Sequence, residues 1–233
     1  MNAQVRVKWS RIKTSVPFEE ITSYFKSNCY SESDGFGYSV FDYYKDEFLA
    51  TYTEKVLRSE VSISPLGDEI VQEVVQYNSV RFSILPITNK IYLLTVFNPP
   101  KSIRFLVDRI CKDFDYNVGV GAIDVNLVDI LSLIDAREDV NLLKVSKVKV
   151  SNLVVGDSSK ASIEIISSKD AMKDIKEVTR GRKFNIDKVK FSCLLNKERY
   201  EVEMSKSGCL TTTEEQLPFY TSLLIEQMIR GNI

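Results

Sequence analysis

The chain has 233 residues, of which 44% are hydrophobic and 27% charged, and its formal net charge is −1. It contains no histidine. This excludes nucleophiles activated by histidine, histidine-dependent nucleases, imidazole metal sites and pH sensing by histidine. The sequence has no run of about 18 apolar residues, so no membrane-spanning helix is predicted.

The four cysteines form no CxxC pair, and the first residues lack the apolar stretch of a secretory signal. Isolated cysteines do not supply the close ligand pairs of a structural zinc site. We therefore expect a cytoplasmic chain with reduced thiols and no metal site.

The predicted elements begin with a helix over 16–28, which buries the face formed by Phe18, Ile21 and Phe25. Four strands are predicted next, over 36–44, 47–53, 56–64 and 80–87, with a turn at Lys45-Asp46 between the first two. For the segment 68–78, the sequence is compatible with either a helix or a strand. Its apolar residues have helical spacing, but they are β-branched, which favours a strand.

A strand over 90–97 leads into Asn98-Pro99-Pro100. Asparagine is a good N-cap and proline suits the first helical position. This predicts a helix that begins directly after Asn98 and buries Leu106 and Ile110. A strand over 117–123 and a short helix over 127–134 follow.

The remaining sequence predicts the order ββαββα. Two strands over 145–154 and 161–166 precede a helix that starts at 167–170 and stops at Gly181. The last helix is predicted to start near Thr213. Its predicted buried residues are Leu217, Tyr220, Leu224 and Met228.

The hairpin between these two helices can be registered from its sequence. A two-residue turn at Asn196-Lys197 sets the opposed pairs. These pairs are Leu195/Glu198, Cys193/Tyr200, Phe191/Val202 and Val189/Met204. The register buries Cys193 and turns Glu201 and Glu203 outward beside lysine.

Together these elements predict an α+β fold of mainly antiparallel sheets flanked by helices. The charged stretch 135–139 suggests a boundary between an aromatic-rich half, 1–135, and a basic half, 136–233. The two halves are either separate domains or one continuous domain.

Candidate catalytic residues are few. Asp187, Glu201 and Glu203, with Lys206, could hold a divalent metal for a nuclease. The outward pairing of both glutamates with lysine favours a solvated sheet face instead. Gly119-Val-Gly121 lacks the third glycine of a dinucleotide loop, and no P-loop is present, so no cofactor is predicted.

The strongest functional signal is basic. Residues 141–210 hold 15 Lys and Arg against nine Asp and Glu. Six of these cations are predicted to form a helical stripe and its extension, which could follow nucleic-acid phosphates. They are Lys169, Lys173, Lys176, Arg180, Arg182 and Lys183. A solvated helix face is the simpler alternative.

Aromatic residues are concentrated between Phe18 and Tyr52. In the strand over 36–44, they point to both faces, which requires cover on both faces. Tyr38, Phe41, Tyr43 and Tyr44 are therefore candidates for a protein-partner surface. Packing in a sheet core is the alternative.

These signals favour a non-catalytic adaptor or subunit of a complex, with a protein partner and, through the basic helix, nucleic acid. A metal-dependent nuclease or phosphodiesterase and a purely protein-binding scaffold are the alternatives. The lack of a catalytic signature also suggests a multi-component prokaryotic system, such as an antiviral one.

Overall fold

The computed structural model describes residues 4–44, 47–138, 140–195 and 198–231. These residues form mainly antiparallel strands with five α-helices, so the predicted α+β class is confirmed. The chain forms two compact units. The first unit runs from Arg11 to Gly121, and the second combines the chain up to Ser10 with the chain from Ala122 onward. The division into an aromatic-rich half, 1–135, and a basic half, 136–233, stays a prediction.

Strand β1 (Gln4–Thr14) contributes residues to both units, although no element was predicted before residue 16. The alternation of buried Val5, Val7 and Trp9 with Arg6 and Lys8 is the period-two pattern of a strand.

The first unit continues from β1 with five strands and two helices. They are α1 (Phe18–Ser27), β2 (Phe36–Tyr44), β3 (Glu47–Ile63), β4 (Glu69–Thr88), β5 (Ile91–Phe97), α2 (Arg104–Asp113) and β6 (Val118–Ala122). The strand order is β2-β3-β4-β5-β1, and β6 also pairs with β1.

Strands β3 and β4 are longer than predicted. The strands predicted over 47–53 and 56–64 form one continuous strand that ends at Ile63, and all of the segment 68–78 except Asp68 belongs to β4. The β-branched residues of that segment therefore adopt their preferred conformation. The predicted turn at Lys45-Asp46 lies outside the described residues.

The helix predicted to begin directly after Asn98 is wrong at its start, because α2 begins at Arg104. Asn98 has a φ of 44°, in the left-handed region, whereas an N-cap residue adopts an extended conformation. Asparagine tolerates left-handed backbone better than most residues, so it favours a turn here as well as a cap.

Aromatic side chains fill the core of the first unit around Phe25. Its ring centroid lies 4.4 Å from that of Tyr38, 5.4 Å from Phe48, and 5.8 Å from both Phe82 and Phe114. All five side chains are buried. Helix α1 therefore covers one face of the sheet with the residues that were predicted to face inward.

A charged group lies at the edge of this core. Arg109 contacts Asp113 at 2.5 Å, and its guanidinium lies 3.6 Å from the centroid of the Phe36 ring. The Tyr38 hydroxyl donates to the other Asp113 oxygen at 2.6 Å. Burial, reinforced by this carboxylate, raises the pKa of Tyr38 well above its ordinary value.

The second unit adds five strands and three helices to its part of β1. They are α3 (Leu127–Asp135), β7 (Val140–Val154), β8 (Lys160–Ile166), α4 (Ala171–Thr179), β9 (Asn185–Leu195), β10 (Glu198–Ser205), β11 (Cys209–Thr213) and α5 (Leu217–Arg230). The strand order is β1-β11-β10-β9-β7-β8.

The predicted ββαββα order misses β11, which pairs with both β10 and β1. Thr213 ends this strand instead of starting the last helix, and a 3₁₀ turn over Glu214–Gln216 precedes α5. Helix α5 buries Leu217, Tyr220 and Leu224 as predicted, and Leu223 in addition. Met228 is only half-buried.

The predicted register of the β9–β10 hairpin is confirmed at all four pairs. Cys193 is fully buried, and its sulfur lies 3.2 Å from the Tyr220 hydroxyl of α5. The turn residues Asn196 and Lys197 lie outside the described part of the chain. The core of the second unit therefore joins β9 to α5.

Replacement of Asp113 by alanine tests the charged group of the first unit. Its side chain is only 1% exposed, and its loss leaves the Arg109 guanidinium and the Tyr38 hydroxyl without their acceptor. We expect Asp113→Ala to lower the free energy of unfolding by about 3 kcal/mol, measured by urea denaturation.

The matched control is Asp108→Ala, on the same helix but with an exposed side chain. It should change the free energy by no more than about 0.5 kcal/mol. Equal losses in the two variants would contradict a special role for Asp113.

Candidate nucleic-acid interface

Helix α4 positions the middle of the basic segment, which we define as Lys169–Lys183. Its buried residues Ala171, Ile175 and Thr179 have helical spacing and pack toward β7 and β8. The Asp170 carboxylate caps the helix by accepting the Met172 N–H at 3.0 Å. The opposite side of the helix is therefore left to solvent.

The predicted helical stripe of four cations is wrong at both ends. Only Lys173 and Lys176 lie within α4. Lys169 precedes the Asp170 cap, and Arg180 ends the helix in a left-handed conformation with a φ of 49°. The chain leaves the helix there, so the cations before and after it do not continue its face.

The six predicted cations are nevertheless all exposed. Among the residues that the structure describes, none of them forms an ion pair with a carboxylate. The acids of the same segment are Asp170, Asp174 and Glu177, which gives the segment a net charge of +3. Its positive field is therefore only partly neutralised locally.

A groove of about 590 Å³ borders this segment within the second unit. Met172, Ile175 and Lys176 of α4 line one side. The other lining residues include Asp124, Leu127, Phe184, Ile186 and Lys206. The groove thus combines an accessible aromatic ring and apolar surface with two lysines.

Phe184 was not among the predicted site residues, and Lys206 was predicted only as a nuclease lysine. Lys206 instead lies 3.5 Å from Asp124, at the groove. In the sequence, Phe184 directly follows Arg182 and Lys183. Two cations before an aromatic residue are the local signal that could have indicated Phe184. Sequence alone does not bring residues 124–128 to it.

The predicted nuclease carboxylates are not brought together. Glu201 and Glu203 lie on the sheet face opposite to the buried Tyr200, Val202 and Met204. Asp187 lies at a register shift between β7 and β9, where it accepts a hydrogen bond from Ser151 at 2.8 Å.

Both glutamates point outward beside lysine, as predicted, but each contacts a lysine diagonal to it and not the residue directly opposite in the register. Glu201 lies 2.8 Å from Lys190, and Glu203 lies 2.8 Å from Lys188. The hydrogen bond from Lys190 lowers the pKa of Glu201 below its ordinary value. Within the described chain, no three His, Cys, Asp or Glu side chains are placed to hold a metal ion.

The four aromatic residues predicted for a partner surface have different surroundings. Tyr38 is 1% exposed, in the core of the first unit, so it is not on a surface that a partner can reach. Phe41 is 60% exposed, beside a β-bulge between Val40 and Asp42. The side chains of Tyr43 and Tyr44 lie outside the described part of the structure.

No known protein family matches this chain, and no curated protein shows significant sequence similarity to it. In the described residues, no helix combines the length and apolarity needed to cross a bilayer. The function of this chain must therefore be inferred from its residues and their geometry.

Replacement of Arg180 by glycine tests whether the left-handed backbone at this position lowers the stability of the protein. The same change removes one cation from the basic segment. A non-glycine residue in the left-handed region costs roughly 1 kcal/mol, which glycine avoids. We expect Arg180→Gly to raise the free energy of unfolding by about that amount while it removes one cation. Thermal denaturation measures the first effect, and a lower melting temperature would contradict it.

Proposed function

We propose that this chain is a non-catalytic binding subunit that contacts single-stranded nucleic acid through the basic segment and the adjacent groove. The observation that carries the proposal is the set of six exposed cations, none of which pairs with a carboxylate among the described residues. Exposed, unpaired cations are free to replace the counterions of a phosphate backbone.

The cations of the basic segment are unpaired, whereas those on the sheet face away from α4 are paired. On that face, Lys147, Lys188 and Lys190 each contact a glutamate at 2.7–2.8 Å. A phosphate would have to displace those carboxylates, whereas around α4 it would displace only water and ions. The basic segment is therefore the better phosphate-binding surface of the second unit.

The groove favours the binding of a single strand over that of a duplex. Phe184 offers an aromatic ring on which an unstacked base can lie, and Lys176 lies in the same groove. Base stacking on aromatic side chains beside cations is the usual way in which proteins hold single strands. The bases of a duplex are already stacked and do not gain this contact.

Charge reversal in α4 tests the proposal. Lys173→Glu with Lys176→Glu should weaken binding to a single-stranded 20-mer, and should reduce the slope of log K against log salt by about 1.4. A duplex of the same length should bind the original protein more weakly than the single strand does. Fluorescence anisotropy over a salt series measures all three quantities.

The matched control is Lys101→Glu with Lys112→Glu. It makes the same change in net charge on exposed residues of the first unit, and Lys112 lies in the last turn of α2 as Lys176 does in α4. The control should leave the slope unchanged. Equal effects of the two double variants would contradict a local site, and so would binding that salt does not weaken.

A protein-binding scaffold is the second candidate function. It is favoured by exposed apolar side chains on the distal parts of β3 and β4, which include Leu57 at 65% and Val61 at 61% exposure. Contiguous exposed apolar side chains are typical of protein-binding surfaces.

A further inference from the structure

The distal parts of β3 and β4 form a two-stranded arm, which we define as residues 56–76. Strand β2 pairs with β3 only as far as Glu54, and β5 pairs with β4 only from Arg81 onward. In the arm the two strands pair only with each other, without a bulge. The side chains of residues 57–63 and 69–77 are all exposed, so the described chain leaves both faces of the arm open to solvent.

One face of the arm, which we call the arm face, is both apolar and acidic. Because the β3–β4 register has no bulge, the odd-numbered residues of both strands share this face. Its large apolar side chains are 45–73% exposed and are Leu57, Val61, Ile63, Val71 and Val75. Its carboxylates are those of Glu69 and Glu73, and neither forms an ion pair within the described chain.

The opposite face of the arm has a different composition. Arg58 and Glu60 of β3 lie on it, so their charges cancel. Gln72 is a third polar residue of this face, and its exposed apolar residues are only Ile70 and Val74. The arm face is therefore the more apolar of the two, and it alone has a net negative charge.

The base of the arm neutralises the nearest cation. Lys55 is on the same side as the arm face, and its ammonium lies 2.9 Å from one oxygen of the Glu32 carboxylate. The Tyr77 hydroxyl donates to the other oxygen at 2.8 Å. These two hydrogen bonds lower the pKa of Glu32, which therefore stays ionised and holds Lys55. The carboxylates of the arm face keep their negative field.

The basic segment has the complementary composition. Its net charge is +3, and Lys173 and Lys176 of α4 are exposed. Val178 of the same helix is 56% exposed, and Met172 and Phe184 are half-buried at the groove. The segment therefore presents cations together with apolar side chains, as the arm face presents carboxylates together with apolar side chains.

Strand β1 also carries cations, but it lacks such an apolar surface. Its cations are Arg6, Lys8, Arg11 and Lys13, whereas all its large apolar side chains, Val5, Val7, Trp9 and Ile12, are buried. An arm face that exposes apolar side chains would not bury them against this strand. The basic segment matches the arm face in both respects.

The charge of the arm disfavours two other classes of partner. The arm has one arginine against four carboxylates, so nucleic acid and anionic lipid headgroups are repelled by it. A two-stranded ribbon by itself is only marginally stable in water, and packing against a helix is one way in which it gains stability. Helix α4 offers both a helix and the opposite charge.

We propose that the arm face binds the basic segment of a second copy of this chain. Glu69 and Glu73 approach the lysines of α4, and the apolar side chains of the arm cover Val178 and the groove. The contact joins two different surfaces, so it is heterologous and produces either closed rings or longer assemblies. It covers the segment assigned above to nucleic acid. Mutual exclusion of the two ligands rests on the proposed function, whereas the contact itself does not.

Sedimentation velocity of the full chain, without nucleic acid, should show association that increases with protein concentration and weakens with salt. Glu69→Lys with Glu73→Lys should raise the apparent Kd by at least about tenfold, and so should the reversal of both lysines of α4. The matched control, with Lys101 and Lys112 reversed, should change it by less than about threefold. A monomer at every concentration up to about 1 mM would overturn the proposal and leave a different protein as the occupant of the arm face.

A mixture of the two defective variants tests which surfaces meet. The arm variant keeps an original basic segment, and the α4 variant keeps an original arm, so the mixture contains one intact pair of surfaces. The two reversed surfaces also have opposite charges. The mixture should therefore associate with an apparent Kd within about threefold of the original. Failure to associate would overturn the proposal, and so would an α4 variant that associates normally, because a contact between two arms predicts that result.

Two single reversals test the choice of face. Glu73 lies on the arm face and Glu60 on the opposite face of the same ribbon. Glu73→Lys should weaken the association about fivefold or more, whereas Glu60→Lys should weaken it less than about twofold, because its charge is farther from the contact and more screened. Equal effects would overturn the assignment of the arm face. Melting temperatures near that of the original protein show that each variant is folded.

Discussion

Strand alternation is the constraint on which the surfaces of this protein depend. Each residue of a strand faces one side of the sheet, and its backbone groups point to one of two edges. In β9, this places Val189 and Phe191 in the core and Lys188 and Lys190 on the opposite face. The same rule turns Glu201 and Glu203 toward the lysines of β9 on that opposite face, and within the described chain no three His, Cys, Asp or Glu side chains are placed to hold a metal ion.

This geometry bears on the chemistry that the absence of histidine leaves open. Without histidine, the metal-dependent nuclease considered from the sequence requires carboxylates that converge on one metal ion. Glu201 and Glu203 each contact a lysine across the strand pair instead. Their pairing stabilises the sheet face electrostatically by a modest amount, because the side chains are partly exposed. These ion pairs account for both glutamates as parts of a solvated sheet face.

Local patterns predicted elements and one register, but not the contacts between distant segments. The β9–β10 pairs followed from two apolar runs around a two-residue turn, and the buried face of α1 followed from its spacing. The extra strand β11 is five residues long and acquires its identity by pairing with β10 and with β1. Nothing local in the sequence indicates such a pairing.

In the candidate site, too, the local sequence indicated some features, and only the folded chain brings the others together. The composition of residues 169–183 identified the cations, yet the predicted stripe counted Lys169 and Arg180 as helical, whereas α4 runs only from Ala171 to Thr179. Both caps are recognisable residue by residue, since aspartate favours an N-cap and Gly181 favours a helix end. The groove could not be predicted, because residues 124–128 and Lys206 reach α4 only through the folded chain.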